Sequence, residues 1–314
     1  MQNIQVVRYQ DKDRESWDSF VKNSRTNIFM FLRGYMDYHK DRFKDHSLLF
    51  YDGEELLALF PASSEASVLY SHGGLTFGGL ITNKALKSHS VGEVFEKMLE
   101  YCKANGVTKI LYKAVPYIYS SLPFQEDLYF LWRKGASLTR RDLSTTISTK
   151  NILKLPKGRK AQISRAKREG VIIESSFDFE DFIDLENQVL LLRHNSKATH
   201  TGKELKMLAE RFPENIKLIV AKKDGCLIAG AVLYVYSEIV HTQYLATNEE
   251  GRTIGALDLI ISEAIEYYKN EKTFFDFGIS TEEQGKYLNL GLVSQKESFG
   301  GRGVVYDTYS LEVR

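Results

Sequence analysis

One amphipathic stripe occurs twice in this 314-residue chain, at a constant offset. Leu99-Glu100-Tyr101-Cys102-Lys103 returns as Ile265-Glu266-Tyr267-Tyr268-Lys269, an offset of 265 − 99 = 166 residues. Carried backwards, the same offset sets Val91, Val94, Phe95, Met98 and Leu99 on Leu257, Ile260, Ile261, Ala264 and Ile265. Positions i, i+3, i+4, i+7 and i+8 form one apolar face of a helix. Every amphipathic helix shows that spacing, so the flanks decide whether it marks a duplication. A short β-rich run follows each helix, at 107–111 and 273–277. A three-strand meander precedes each: 46–51, 56–60 and 68–71 with a turn at Asp52-Gly53, then 217–221, 227–236 and 239–246 with a turn at Asp224-Gly225. Asp-Gly between apolar runs is a strong hairpin signal. Two helix-like segments stand upstream of each meander, 12–22 and 31–41, then 179–193 and 202–212. Each half therefore reads strand, two helices, meander, helix, strand. The helix after the meander lets the last strand run parallel to its neighbour.

The length fits two domains. Expected boundaries are 1–154 and 171–314, with 155–170 as a basic junction opened by Pro156 and Gly158. The junction holds Lys157, Arg159, Lys160, Arg165, Lys167 and Arg168, and 160–169 is compatible with a short helix stopping at Gly170. It reads either as a solvated connector or as a patch for the phosphates of a nucleotide, a CoA or a tRNA. Overall, 42 Lys and Arg balance 41 Asp and Glu, so no DNA partner is expected. The two cysteines, Cys102 and Cys226, have no ligand spacing and read as small core residues, and no metal is expected. The start, Met1-Gln2-Asn3-Ile4-Gln5, has no basic or apolar run, and the longest nearly apolar run, 226–236, is too short to span a bilayer. A cytoplasmic protein without a transmembrane segment is the expectation.

Several segments can carry chemistry. From Tyr244 through Ala246, Thr247, Asn248, Arg252, Thr253, Gly255 and Ala256, a strand ends, a polar loop follows and a helix begins. Unpaired amides at such a helix start suit a pyrophosphate. In Phe274-Phe275-Asp276-Phe277-Gly278 a strand sets Asp276 on the face opposite its aromatic neighbours. It is either a base for an acceptor's proton or a structural carboxylate paired with Arg252 or Lys296. Ser71-His72-Gly73-Gly74 opens the most Gly-dense stretch, a candidate wall for an acceptor; Tyr38, near His39 and Arg42, is another. His194, in the link between two helices, is a candidate acid/base group. The tail reads as a strand through Lys296, a turn at Phe299-Gly300-Gly301, and a closing strand over 304–313.

The doubled element order is that of the GNAT fold, and Arg252-x-x-Gly255 resembles the GNAT pyrophosphate signature, although Leu257 stands where its last small residue belongs. Lys296, two residues, Phe299-Gly300-Gly301 and a later tyrosine resemble the C-terminal end of FemAB-like proteins, tandem-GNAT acyl and aminoacyl transferases of cell-wall biosynthesis. The basic segment 159–170 is family-like as well. The resemblance implies an α+β fold of two tandem GNAT-like domains, mixed sheets with helices on both faces. It further implies a role for Lys296 in stabilising the oxyanion of acyl transfer, with Phe299 beside it. Gln295 stands where the cell-wall enzymes carry an aromatic residue, so their particular substrate does not carry over.

Two functions compete. One is an acyltransferase acting on an amine or hydroxyl, on a cell-envelope sugar or peptide precursor, by direct attack without a covalent enzyme intermediate. Its donor is acyl-CoA (acetyl-CoA) on the strength of Arg252-x-x-Gly255, with aminoacyl-tRNA as the alternative. The other is a non-catalytic GNAT-like binding module, favoured by the imperfect phosphate motif.

Overall fold

The structure is a computed structural model describing residues 4–314, apart from the side chains of residues 193 and 194. Two units share the chain. The first takes residues up to Asp142 with Glu283–Tyr287 and Val305–Arg314; the second takes Leu143–Glu282 and Leu288–Val304.

The first unit runs β1 (Ile4–Arg8), α1 (Arg14–Asn23), α2 (Arg33–Met36), β2 (Leu48–Asp52), β3 (Glu55–Phe60), β4 (Ser63–Glu65), β5 (Val68–Tyr70), β6 (Ile81–Thr82), α3 (Ser88–Ala104), β7 (Lys109–Lys113), α4 (Glu126–Arg133) and the start of β8 (Ser137–Ser148). The meander expected here is split. β1, β2, β3 and β6 form one sheet, whereas β4 and β5 join β7 in another. Pro61, directly after β3, lacks the N–H that would continue the ladder. The helix expected at 31–41 is only the single turn α2 between 3-10 turns at 29–31 and 37–39. Tertiary bonds hold it: the Trp17 indole donates to the Phe31 carbonyl at 2.7 Å, and Asp18 Oδ1 accepts from the Arg33 amide at 2.7 Å. The core gathers Val91, Val94, Phe95 and Met98 of α3 against Phe50, Phe60 and Ile110. Fully buried Tyr112 donates to Asp127 Oδ2 and accepts from the Leu80 amide, both at 2.7 Å.

The chain continues with α5 (Lys157–Arg168), β9 (Ile172–Ser176), α6 (Phe179–His194), α7 (Gly202–Arg211), β10 (Ile216–Lys223), β11 (Cys226–Val235), β12 (Ile239–Thr247), α8 (Glu249–Ile254), α9 (Ala256–Tyr268), β13 (Phe274–Ile279), β14 (Thr281–Glu282), β15 (Tyr287–Leu288), α10 (Leu290–Glu297) and β16 (Arg302–Glu312), all in the second unit except Tyr287 and the part of β16 from Val305 onward, which belong to the first. In the second unit the meander is intact. Asp224 (φ 49°) and Gly225 (φ 79°) are both left-handed, as a type I′ turn demands, and register β10 on β11 from Ile216↔Tyr234 to Lys223↔Cys226. The order of strands is β8-β13-β12-β11-β10-β9. The α9 stripe Leu257, Ile260, Ile261 and Ala264 packs on Ala231, Leu233, Val240 and Phe275. On the opposite face Phe182 of α6 covers Gly230, where a Cβ would sit 2.5 Å from its ring.

Two further sequence expectations change. Residues 290–297 are helix α10, not strand, because Asn289 caps it by accepting the Leu292 amide at 3.0 Å. Cys102 is buried as expected, but Cys226 is exposed at the hairpin mouth. The chain passes from the first unit to the second within β8, and its final strand pairs with β7, from Thr308↔Lys113 to Glu312↔Lys109. The basic segment is helix α5 of the second unit, packed on α9.

Because Ile260 is fully buried beneath β11 and β13, Ile260→Ala leaves an apolar void. It should cost about 2–5 kcal/mol, read as a lower denaturation midpoint with an unchanged urea m-value.

Candidate active site

Two parallel strands part in the second unit. β12 and β13 pair over Ile239↔Phe274, Val240↔Phe275 and His241↔Asp276. Beyond these pairs a β-bulge between Val232 and Leu233 shifts the register of β11 on β12, and Gly278 turns β13 with φ 73°. Between the diverging ends lies a cleft of about 360 Å³, walled by Leu245 and Thr247 of β12, Phe277 of β13, Arg159 of α5, Arg252 of α8 and Lys296 of α10. Its apolar floor and three cations suit a ligand with an apolar arm and an anionic end.

Lys296 is 6% exposed. Its Nζ donates to the carbonyls of Gly278 and Ile279 at 2.8 and 2.7 Å. Burial lowers its pKa to about 8, partly opposed by the nearby Asp276 charge. Phe299 lies at 2% exposure under the Arg159 guanidinium, 4.1 Å from the ring centroid. Arg159 also pairs with Asp258 in the first turn of α9 and donates to Ser298 Oγ at 3.0 Å.

Asp276 is wholly enclosed, yet fully bonded. Its Oδ1 accepts from Ser144 Oγ and Thr146 Oγ1, each at 2.6 Å; its Oδ2 accepts from His241 Nδ1 at 2.7 Å and from the Gly278 amide at 3.1 Å. Burial raises its pKa, but the His241 contact and the two hydroxyls outweigh it and hold the carboxyl below its ordinary value. The partners are therefore His241, Ser144 and Thr146, not Arg252. His241 escaped the sequence reading because nothing local marks it; only the β12–β13 register sets it opposite Asp276.

The loop after β12 is not an open cradle. Asn248 Oδ1 accepts the Gly251 amide at 2.8 Å, the Arg252 amide bonds Asn248 O at 3.0 Å, and the Gly255 amide bonds Gly251 O at 3.0 Å. Thr253 Oγ1 donates back to Glu249 O at 2.9 Å. Ala246 and Ala256 are fully buried. Gly255 has φ 84°, and a Cβ there would lie 2.7 Å from the Gln162 carbonyl of α5. Among the residues marked by sequence as a phosphate site, Thr247 and Arg252 reach the cleft.

On the face away from α9, the Tyr244 hydroxyl meets His200 Nδ1 at 2.7 Å and the His200 amide at 3.2 Å. Glu186 of α6, one turn before cleft-lining Val189, is 7% exposed, and burial raises its pKa to about 7. The side chain of His194 lies outside the described residues. Tyr38, Gly73 and Gly74 belong to the first unit. Tyr38 stacks on His39, and Gly74 owes its lack of a Cβ to that histidine's ring and to Phe43. The Gly-rich loop thus closes on the protein's own aromatics. Among the described residues no group of three or more His, Cys, Asp or Glu side chains is placed to hold a metal ion, and no helix is long and apolar enough to cross a membrane.

Residues 157–286, which include the cleft walls Arg159, Thr247, Arg252 and Phe277, match the family model of the acetyltransferase (GNAT) domain. No curated protein matches the sequence. Among solved structures, FemX superposes with a TM-score of 0.68 at 11% identity over 96% of each chain. The C-terminal domain of a protein named as a lysylphosphatidylglycerol synthetase, from Agrobacterium fabrum, gives 0.65 at 12% identity over 96% of this chain and 91% of that one. A tandem GNAT protein from the clavulanic acid biosynthesis pathway gives 0.53 at 11% identity over 99% of both chains. At such identities the likeness is one of fold. Residues 157–286 thus carry the match to a GNAT acetyltransferase domain, and the chain as a whole shares its fold with FemX and the tandem GNAT protein. Its fold is the tandem α+β arrangement expected from the repeat, with helices on both faces of the sheet.

Glu186 supplies a pH test. Its folded pKa is raised, so the native state holds a proton that the unfolded state releases between about 4.5 and about 7. Stability should fall as pH rises through that window. Glu186→Gln should remove this slope and be the more stable protein above it, measured by urea unfolding at a series of pH values.

Proposed function

We propose that this protein transfers an acyl or aminoacyl group to an amine or hydroxyl acceptor, on a cell-envelope precursor. One observation carries the reading: buried Lys296 stands at the parting of β12 and β13 with only two of an ammonium's three hydrogens committed to carbonyls. The third is available to an oxygen in the cleft. As the acceptor attacks the donor's carbonyl, negative charge gathers on that oxygen, and a fixed cation in a dry site stabilises it strongly. The β12 and β13 walls hold the donor in line, and no covalent enzyme intermediate is needed.

The donor is acyl-CoA or an aminoacyl-tRNA. The GNAT match supports acyl-CoA. A specific observation favours the second. The Gly251, Arg252 and Gly255 amides already have partners, and Asp258 with Arg159 occupies the start of α9. Phosphates would then be met by side chains. Helix α5 lines the cleft through Arg159 and Gln162 and exposes Lys157, Lys160, Arg165, Lys167 and Arg168. Such a row suits a polyanion. FemX and the lysylphosphatidylglycerol synthetase domain share the fold, which is why a cell-envelope acceptor is proposed here. The cleft and the proton-bearing groups around it favour a transferase over a binding module.

The test offers acetyl-CoA and lysyl-tRNA as donors with amine, amino-sugar and phosphatidylglycerol acceptors, following thiol release in one arm and RNase-sensitive transfer of labelled lysine in the other. Transfer is expected in one arm. Lys296→Met should lower its turnover by about 10²–10³ with an unaltered circular dichroism spectrum. Wild-type protein that binds a donor yet transfers nothing in either arm would favour the binding module.

A further inference from the structure

Acyl transfer needs a group that accepts the acceptor's proton, and the carboxylate on the cleft walls, Asp258, is tied up in its ion pair with Arg159. Asp276 has no solvent access and all its bonding capacity is engaged. A carboxylate only accepts hydrogen bonds, so the contact with His241 fixes the proton of that imidazole on Nδ1. Nε2 is then a lone pair. The ring is largely buried, with its side chain 12% exposed. Its Cε1 lies 3.1 Å, and Nε2 3.8 Å, from the Cβ position of Gly278, the residue whose carbonyl holds Lys296. Phe275 and Phe277 point into the core beneath α9, so Asp276 and His241 project from the opposite face, at the last pair before the strands part. Facing His241 are Asp276 on β13, Tyr234 paired opposite on β11, and, through Asp276, Lys296 on α10.

We infer that His241 is the proton acceptor of the transfer reaction and that Asp276 is its positioning residue. The inference rests on the acyltransferase reading. As the acceptor's nitrogen or oxygen bonds the acyl carbon, its proton passes to His241 Nε2 and the carbonyl electron pair moves onto oxygen near Lys296. That pair returns, the bond to the donor's sulfur or ribose oxygen breaks, and the leaving group takes the proton back from Nε2. Gly278 suits the arrangement: with φ 73° and the imidazole against it, it admits no side chain.

The experiment compares two acceptors, each with acetyl-CoA and with lysyl-tRNA. One is lysine amide, whose amine must lose a proton. The other is hydroxylamine, which is neutral and nucleophilic at neutral pH and whose adduct nitrogen is acidic enough to lose its proton to water, so it depends far less on a protein base. His241→Gln keeps an N–H donor toward Asp276. It should lower the ratio of amine transfer to hydroxylamine transfer by about 10²–10⁴, and Asp276→Asn should lower it and displace the acid limb of the pH profile. Lys296→Met should slow both acceptors, leaving the ratio unmoved. A His241→Gln ratio equal to that of the wild type overturns the inference. Imidazole nitrogen NMR on histidine-labelled wild-type protein judges it without turnover: an Nδ1-protonated His241 whose Nε2 titrates supports it, and an Nε2-protonated or non-titrating ring overturns it. If wild-type protein transfers to neither acceptor, the acyltransferase reading fails, and the NMR result still decides the state of His241.

Discussion

Three residue pairs between β12 and β13 fix everything downstream of them. A parallel ladder that continued would seal the sheet and leave no passage beside α9. By ending at His241↔Asp276 it opens a cleft and sets a buried carboxylate at its apex. Burying such a charge without partners is prohibitively costly, so the apex must be rich in donors. Ser144 and Thr146 on β8, His241 on β12 and the Gly278 amide supply them. The same turn of β13 aims two carbonyls at Lys296. Strand geometry, charge neutralisation and the placing of the cation are one connected constraint.

Much of the fold was legible because its signals are local. The α3 and α9 stripes, read at one offset, bury corresponding residues: Val91, Val94, Phe95 and Met98, then Leu257, Ile260, Ile261 and Ala264, with Leu99 and Ile265 half-exposed in both. The Asp224-Gly225 turn likewise follows from φ preferences alone. What escaped was decided by distant partners. The 31–41 segment reads as a helix, but bonds from Trp17 and Asp18 hold the chain from Phe29 to His39 as short turns. Helix α10 hid behind β-branched and aromatic neighbours until Asn289 capped it.

The site was half legible. Lys296 and Phe299 were marked by resemblance, and both reach the cleft. The phosphate loop had the right strand-loop-helix context, but side-chain capping by Asn248 consumes an amide that sequence reading counted as available. His241 carried no local signature. Its partner is 35 residues away, and only the register of a parallel pair, which no spacing rule encodes, joins them.

Each sheet is finished by a strand from an unexpected part of the chain. The end of β8, ahead of the basic helix, pairs with β13, and the end of β16 pairs with β7. Ser144 and Thr146 ride on the first of these strands. A gene fragment opening at the basic helix would encode every wall of the cleft and still omit the two hydroxyls that keep Asp276 solvated in the protein interior. Modular shuffling of such halves would carry the visible pocket across but leave its electrostatic anchor behind.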